Sequence, residues 1–485
     1  MRLSTQLSLV ALAAFIATMA TAAACSNASQ AVDPPASAVE APATGLRAFT
    51  GAATKVVWVQ SDGTDPFAAG NQLILMGLST EDAKGERVIL GKRQSYVKPL
   101  LTPRGDRIVF STRPQDGGPE AFVVGWDGSG LTRLGPGFAL AVWEDPAGAQ
   151  TWVYVGTGNK DKSYDFPTVS RFPINEPAKA ELVWNKTLMS ADTFQLSADG
   201  RFAAGLFPWP KAGIAELPNK SWEPIGDGCW TAMTTARGPI AWYFDGAHRN
   251  VTLVDVRTKK RWTVALNQAP GFQNPEVYHP RWTNHPRFLA FSGPYNQGGA
   301  NQVRSGGTQS EVWLGRFSED FSRIEAWSKV TNNGGGDSYP DVWIDRDKSA
   351  FAARPAGAVG PPATAPAQGA TRTGSATPSR VVVEVRLAHA GPIPSPASIL
   401  PYRHALVVNA YDVVSVVEGQ YAQKTIHVAQ WAIRDGKVLP EATRARDATS
   451  RLTVERYDAH PELEGERLIT DIGTSDLPLY YEIRP

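Results

Sequence analysis

Histidine is scarce in this chain, with seven in 485 residues, and two of the seven sit close to carboxylates. His248 follows Asp245 by three positions and precedes Arg249, and His279 follows Glu276 by three. Two imidazoles and two carboxylates could hold a divalent metal or supply a general base. A divalent metal is therefore the candidate cofactor, with His248 and His279 as its ligands. The competing reading is a hydrogen-bonded rim, in which aspartates cap turns and His279-Pro280 ends a strand. Trp209, in Phe207-Pro208-Trp209-Pro210, is placed to stack on a ligand; Tyr295 and Asp337 complete the candidate binding set. No catalytic residue is assigned. There is no Gly-x-Ser-x-Gly elbow, no His-Glu-x-x-His and no phosphate-binding glycine loop. Cys229 reads as a buried thiol rather than a nucleophile.

These residues need a scaffold that brings them together, and a repeat supplies one. Seven stretches run as short strand, polar turn and apolar strand, beginning at Arg47, Lys98, Ala141, Asp192, Gly228, His279 and Tyr339. Their spacing is on the order of the ~40–50-residue period of propeller blades. Further strands follow most turns, such as EAFVVGWD, NVTLVDV and EVWLGRF, then KRWTVAL and IEAWSKV. That is the A-B-C-D meander of a blade, with A innermost. Seven A–B pairs but six C–D pairs are present, and the Arg47 copy has the weakest A strand, broken by Gly51. The expected closure is six blades, with Tyr339–Ile344 as strand A of the N-terminal blade; seven blades is the alternative. B–C and D–A loops share one rim, where Asp245, His248, Arg249, Glu276, His279, Tyr295 and Asp337 would meet. His285, in an A–B turn, falls on the other rim. The tryptophans on A strands, Trp143, Trp230, Trp282 and Trp343, read as packing between blades.

Two resemblances attach to these residues. RIVFST…EAFVVGWDGSGLTRL, with Pro103-Arg104-Gly105-Asp106-Arg107, Asp127-Gly128-Ser129-Gly130 and Ser197-Ala198-Asp199-Gly200-Arg201, resembles the TolB-like branch of WD-like propellers. That family is mostly periplasmic and mostly binds proteins or small ligands. His279…Pro286…Leu289…Phe291…Gly293-Pro294-Tyr295 resembles oligogalacturonate lyases, which implies a metal-dependent, polysaccharide-active ring. Those enzymes place several histidines and a glutamine on the rim, whereas here only His248 and His279 are available.

The rest of the chain frames this ring. Residues 1–24 read as an export signal, with Arg2, an apolar run Leu7–Met19 and Ala22-Ala23-Ala24. Cys25 follows, and the segment resembles a bacterial lipoprotein signal, with Ala22 where such signals carry leucine; Cys25 is the candidate lipidation site. Residues 25–45 read as a tether, 46–355 as the propeller and 356–379 as a Pro/Ala/Gly-rich linker. Residues 380–485 read as a small β-barrel or sandwich. Its YDVVSVVEGQYAQKTIHVAQW is similar to modules appended to exported bacterial proteins, and to netrin-like OB barrels. A net charge of +1 gives no field for nucleic acid. The expected protein is all-β, exported to the periplasm or held at the outer membrane by an N-terminal lipid. It binds an envelope protein or polysaccharide through its rim, with no enzymatic activity; the alternative is a metal-dependent polysaccharide-active enzyme. Replacing His248 and His279 together with alanine is expected to leave folding intact and weaken ligand binding.

Overall fold

A computed structural model describes residues 43–62, 71–82, 84–113, 117–159, 165–234, 240–272, 275–295, 307–348, 380–399, 402–444, 448–472 and 477–483. The export signal, Cys25, the linker and residues 25–42 of the expected tether lie outside these residues, while its last three positions, 43–45, begin a helix. Short apolar runs, many of them buried along all or nearly all of their length, form strands that assemble into six four-stranded antiparallel sheets. Blade 1 pairs Gly336–Ile344 with Thr54–Ser61, Leu73–Ser79 and Glu86–Gln94. Blade 2 runs Val97–Leu101, Arg107–Thr112, Glu120–Gly125 and Thr132–Pro136. Blade 3 runs Phe138–Glu144, Thr151–Thr157, Thr168–Pro173 and Glu181–Trp184. Blade 4 runs Phe194–Leu196, Phe202–Leu206, Lys211–Glu216 and Trp222–Asp227. Blade 5 runs Cys229–Met233, Ile240–Phe244, Asn250–Asp255 and Arg261–Ala265. Blade 6 runs Glu276–Trp282, Phe288–Tyr295, Glu311–Phe317 and Ile324–Lys329.

The expected six-bladed ring, closed by a mixed blade, is the observed one. Val57 faces Asp341 and Lys55 faces Trp343 across the closing pair. The Arg47 copy, expected as a weak A strand, is instead the end of a helix, Ala43–Thr50. Gly51, at φ +71°, terminates it and donates to the Arg47 carbonyl at 2.8 Å. A left-handed residue costs glycine nothing, so the glycine that weakened the strand pattern is a helix stop. The helix buries Leu46 against the base of blades 6 and 1.

The inner-strand tryptophans act as packing. Trp343 lies 2.7 Å from where a Cβ on Gly105 would stand, and donates to the Pro103 carbonyl at 2.8 Å. Trp143 does the same two seams on, 2.6 Å from a Cβ on Gly200 and donating to Ala198 at 3.2 Å. Both glycines are left-handed. The turn glycine of each motif therefore makes room for the indole of the preceding blade as well as for its own turn.

Beyond the ring, five strands close a barrel: β1 (Val381–His389), β2 (Ala405–Glu418), β3 (Thr425–Arg434), β4 (Thr449–Arg456) and β5 (Leu479–Glu482). Their order is β1-β2-β3-β5-β4 and back to β1, with β3 and β5 parallel. This is the Greek-key connectivity of an OB-fold. Alternate residues such as Val381, Val383, Val385, Ile426 and Val428 fill its interior. Ring and barrel belong to one compact unit, Ala38–Pro485.

Trp58, fully buried in the closing blade, donates to Asp337 at 2.8 Å. Trp58→Ala should cost about 3–5 kcal/mol in chemical denaturation, whereas Val88→Ala, at a position 53% exposed, should stay within about 0.5 kcal/mol. Equal effects would mean that the clasp is not where ring stability is concentrated.

Candidate functional site

The B–C turn of blade 5 is built around Asp245. Its carboxylate accepts from the Arg249 amide at 2.9 Å, the Asn250 amide at 3.2 Å and the Asn250 side chain at 2.7 Å. The turn puts His248 at φ +58° and buries it completely. The His248 carbonyl accepts from Val277 at 2.9 Å, which binds the turn to the inner strand of blade 6. Glu276 and Tyr295 stand opposite each other at the rim end of that blade. His248, Glu276 and Tyr295 thus converge, but Glu276, His279 and Asp337, expected in D–A loops, are members of the inner strands themselves.

The barrel completes the cluster. His248 Nδ1 meets the Tyr295 hydroxyl, and Nε2 meets the Tyr402 hydroxyl at 2.9 Å. Glu276 Oε2 accepts from Arg467 at 2.6 Å, with His248 Nδ1 3.7 Å away. Arg467 is fully buried and also donates to the carbonyls of Gly246 and Leu468 at 3.2 Å. Gly246 donates to Glu464 at 2.9 Å and accepts from Leu468 at 3.1 Å. A Cβ on Gly246 would lie 1.8 Å from the Glu466 carbonyl, so only glycine lets the barrel loop come this close. Tyr243 donates to Glu464 at 2.8 Å, and Ile399 and Tyr402 join the apolar core of blades 5 and 6.

Burial sets the electrostatics. It drives His248 well below its ordinary value, with the Arg467 charge adding to the effect, so the imidazole is neutral. Burial also raises Asp245, Tyr402 and Cys229. The Cys229 thiol is buried, and its sulfur lies 3.4 Å from the Tyr402 hydroxyl. Trp209 is half-buried, its ring edge-on to Tyr402 at 5.3 Å, rather than displayed to solvent. Arg249 donates to the Thr470 carbonyl at 3.4 Å.

His279 goes elsewhere. It occupies a bulge of the inner strand at φ +55°, and the same bulge recurs at Lys98, Trp230 and Tyr339. Rings from blades 5, 6 and 1 meet across the axis: His279 lies 3.9 Å from Tyr339 and 5.0 Å from Trp230. Lys98 reaches across to the Ala191 carbonyl at 3.0 Å. One layer along, Arg281 pairs with Asp341 at 2.6 Å, and Asp341 accepts from the Leu101 amide. His248 and His279 therefore belong to different clusters, and among the described residues no group of three His, Cys, Asp or Glu could hold a metal ion. Sequence reasoning missed Tyr402 and Arg467, each more than 150 positions from its partner. It also missed the bulges, although Lys98-Pro99, His279-Pro280 and Tyr339-Pro340 share one pattern.

Asp337 sits in a third cluster at the seam of blades 6 and 1. It accepts from Trp58, from Gln60 at 3.0 Å and from Asn333 at 2.9 Å. Burial pushes its carboxyl up to about 7 against these hydrogen bonds, and the nearby Glu311 charge adds to the rise.

No family model matches the chain, and no curated protein is detectably similar to it. Solved structures are similar to it in fold. The crystal structure of TolB from Acinetobacter baumannii is 12% identical over 61% of this chain and 69% of that one, with a TM-score of 0.42. A prolyl endopeptidase structure is 15% identical over 55% of this chain and 40% of that one, at 0.33. A luciferin-regenerating enzyme is 11% identical over 49% and 87%, also at 0.33. The six-bladed ring expected from the sequence is present, and its blade count and closure rest on the strand pairings described above.

Glu276→Leu should cost about 3–5 kcal/mol, because it strands a buried guanidinium, and Glu276→Leu with Arg467→Met should recover most of that in urea denaturation. An additive double mutant would show that the two residues are not coupled. Asp337 gives a separate test. The folded chain keeps its proton up to about 7, while the unfolded chain releases it near 3.8. Its contribution is thus full at low pH and lost as pH rises through that window. Asp337→Asn should flatten the decline in stability between those two values; an unchanged slope would place the titration elsewhere.

Proposed function

We propose that this chain is a non-catalytic binding protein of the cell envelope. Ring and barrel act as one body and engage a protein or glycan through the part of the B–C/D–A rim that the barrel leaves uncovered. The observation that carries this reading is His248, buried with both ring nitrogens on tyrosine hydroxyls while Glu276 is held by Arg467. Acid–base groups committed to docking are poorly placed to move protons on a substrate. In OB-folds the β1–β2 and β4–β5 loops carry the ligand. Here those loops hold Tyr402 and Arg467, and their ligand is the propeller. A lyase-like reaction would need open coordination at His248 and His279, which stand in separate clusters. Export and a lipid at Cys25 belong to the same proposal, supported by the N-terminal sequence. No helix among the described residues is long and apolar enough to cross a membrane.

A photo-crosslinking residue at exposed Gln309, on the uncovered rim, should yield defined adducts in the producing cell. The same residue at exposed Ala147, on the opposite rim, should not. Adducts from both or neither would count against the rim. Cleavage of polysaccharide by the purified protein, with or without added divalent metal, would replace the binding reading with an enzymatic one. Cys25→Ser should abolish fatty-acid labelling and shift the protein to the soluble fraction; unchanged labelling would remove the anchor.

A further inference from the structure

On the uncovered rim a cleft of about 340 Å³ opens beside blade 6, within the size range of small-molecule sites. One wall is apolar, formed by Phe272, Pro294 and Trp313, with Phe272 packed edge-on to Trp313 at 5.2 Å. The other wall holds Glu311, Lys329 and Asn333. Glu311 is 94% buried by its 6% exposure, yet it borders the cleft. Its carboxylate is fixed by Thr331 Oγ1 at 2.7 Å, the Asn333 amide at 3.2 Å and Lys329 Nζ at 3.5 Å. Asn333 is itself locked, donating to Glu86 at 2.6 Å and Asp337 at 2.9 Å, and accepting from Gln60 at 2.9 Å.

We infer that this cleft binds a neutral saccharide, a conclusion that rests on the binding reading above and narrows its partner to a glycan. Glu311 and Lys329 cancel each other's charge, so neither an anionic nor a cationic ligand gains from the cleft as a whole. A carboxylate can only accept hydrogen bonds and an ammonium can only donate. Adjacent hydroxyls, each able to donate and accept, span such a pair. A sugar ring offers adjacent hydroxyls on its edge and a face of C–H groups for the Phe272–Pro294 wall. Because Glu311 is already held by three partners, little ordering is required when the ligand arrives.

The full chain should be titrated by calorimetry and ligand-observed NMR with cellotetraose, maltotetraose and the N-acetylglucosamine tetramer, and with trigalacturonate as the anionic comparison. At least one neutral tetramer should bind, and the anion should bind more weakly. Phe272→Ala should weaken binding roughly tenfold, and Lys329→Met should weaken it without changing the melting temperature by as much as Trp58→Ala does. Val88→Ala should leave affinity unchanged. Absence of binding by all three neutral tetramers, a preference for trigalacturonate, or wild-type affinity in both cleft variants would overturn the assignment. If the tetramers fail while Gln309 still crosslinks to a protein, the rim remains a binding surface and the saccharide site falls alone.

Discussion

A ring of sheets is free of exposed edges only when its last inner strand pairs with its first outer ones, and everything else in this molecule depends on that pairing. Gly336–Ile344 is drawn into the sheet of Thr54–Ser61 across almost the whole length of the propeller sequence. Its side chains do more than close a ladder. Asp337 accepts from Trp58, Tyr339 reaches the axis, Asp341 gathers Arg281 and the Leu101 amide, and Trp343 covers the Gly105 turn. One nine-residue strand therefore sets the register of blades 6, 1 and 2. An unpaired strand edge is also a template for aggregation, which closure removes.

The closed ring then decides what the barrel can do. A buried ion pair such as Glu276–Arg467 contributes little net stability, since desolvation offsets much of the attraction. Its value lies in specificity: a barrel seated one residue out of place would leave a guanidinium and a carboxylate buried and unpaired. Gly246 adds a steric condition, because its missing Cβ is what allows two backbone hydrogen bonds to form between ring and barrel. The neutral imidazole of His248 fits the same logic. A protonated ring in that position would face the Arg467 charge.

Much of this was legible in the sequence, and the limits have physical causes. Six blades and the mixed closing blade follow from the repeat of short apolar strands around polar turns, a pattern that depends on neighbours a few positions away. The Arg47 stretch was misread because a glycine that interrupts a strand and one that stops a helix look alike without the tertiary partner. The convergence of His248, Glu276 and Tyr295 follows from propeller geometry, but their use does not. Tyr402 and Arg467 lie in a module whose docking leaves no periodic trace, and an arginine in a loop ordinarily reads as solvated. Removing His248 from this setting would leave the Tyr295 and Tyr402 hydroxyls in a buried space. The sequence-based expectation that such a change spares folding is therefore replaced by one of lost stability.

The cleft and the clasp share residues, and that links ligand to architecture. Asn333 bridges Glu86 on the outer strand of blade 1, Asp337 on its inner strand and Glu311 on blade 6. A ligand that holds Glu311 and Lys329 therefore bears on the seam where the ring is closed, whereas the seams under the barrel are already secured by Arg467 and Tyr402. Since a ligand that binds only the folded ring stabilises it by mass action, occupancy would add most where the ring closes. With a ligand in the cleft, recognition and ring closure would rest on the same hydrogen bonds in the uncovered part of the rim.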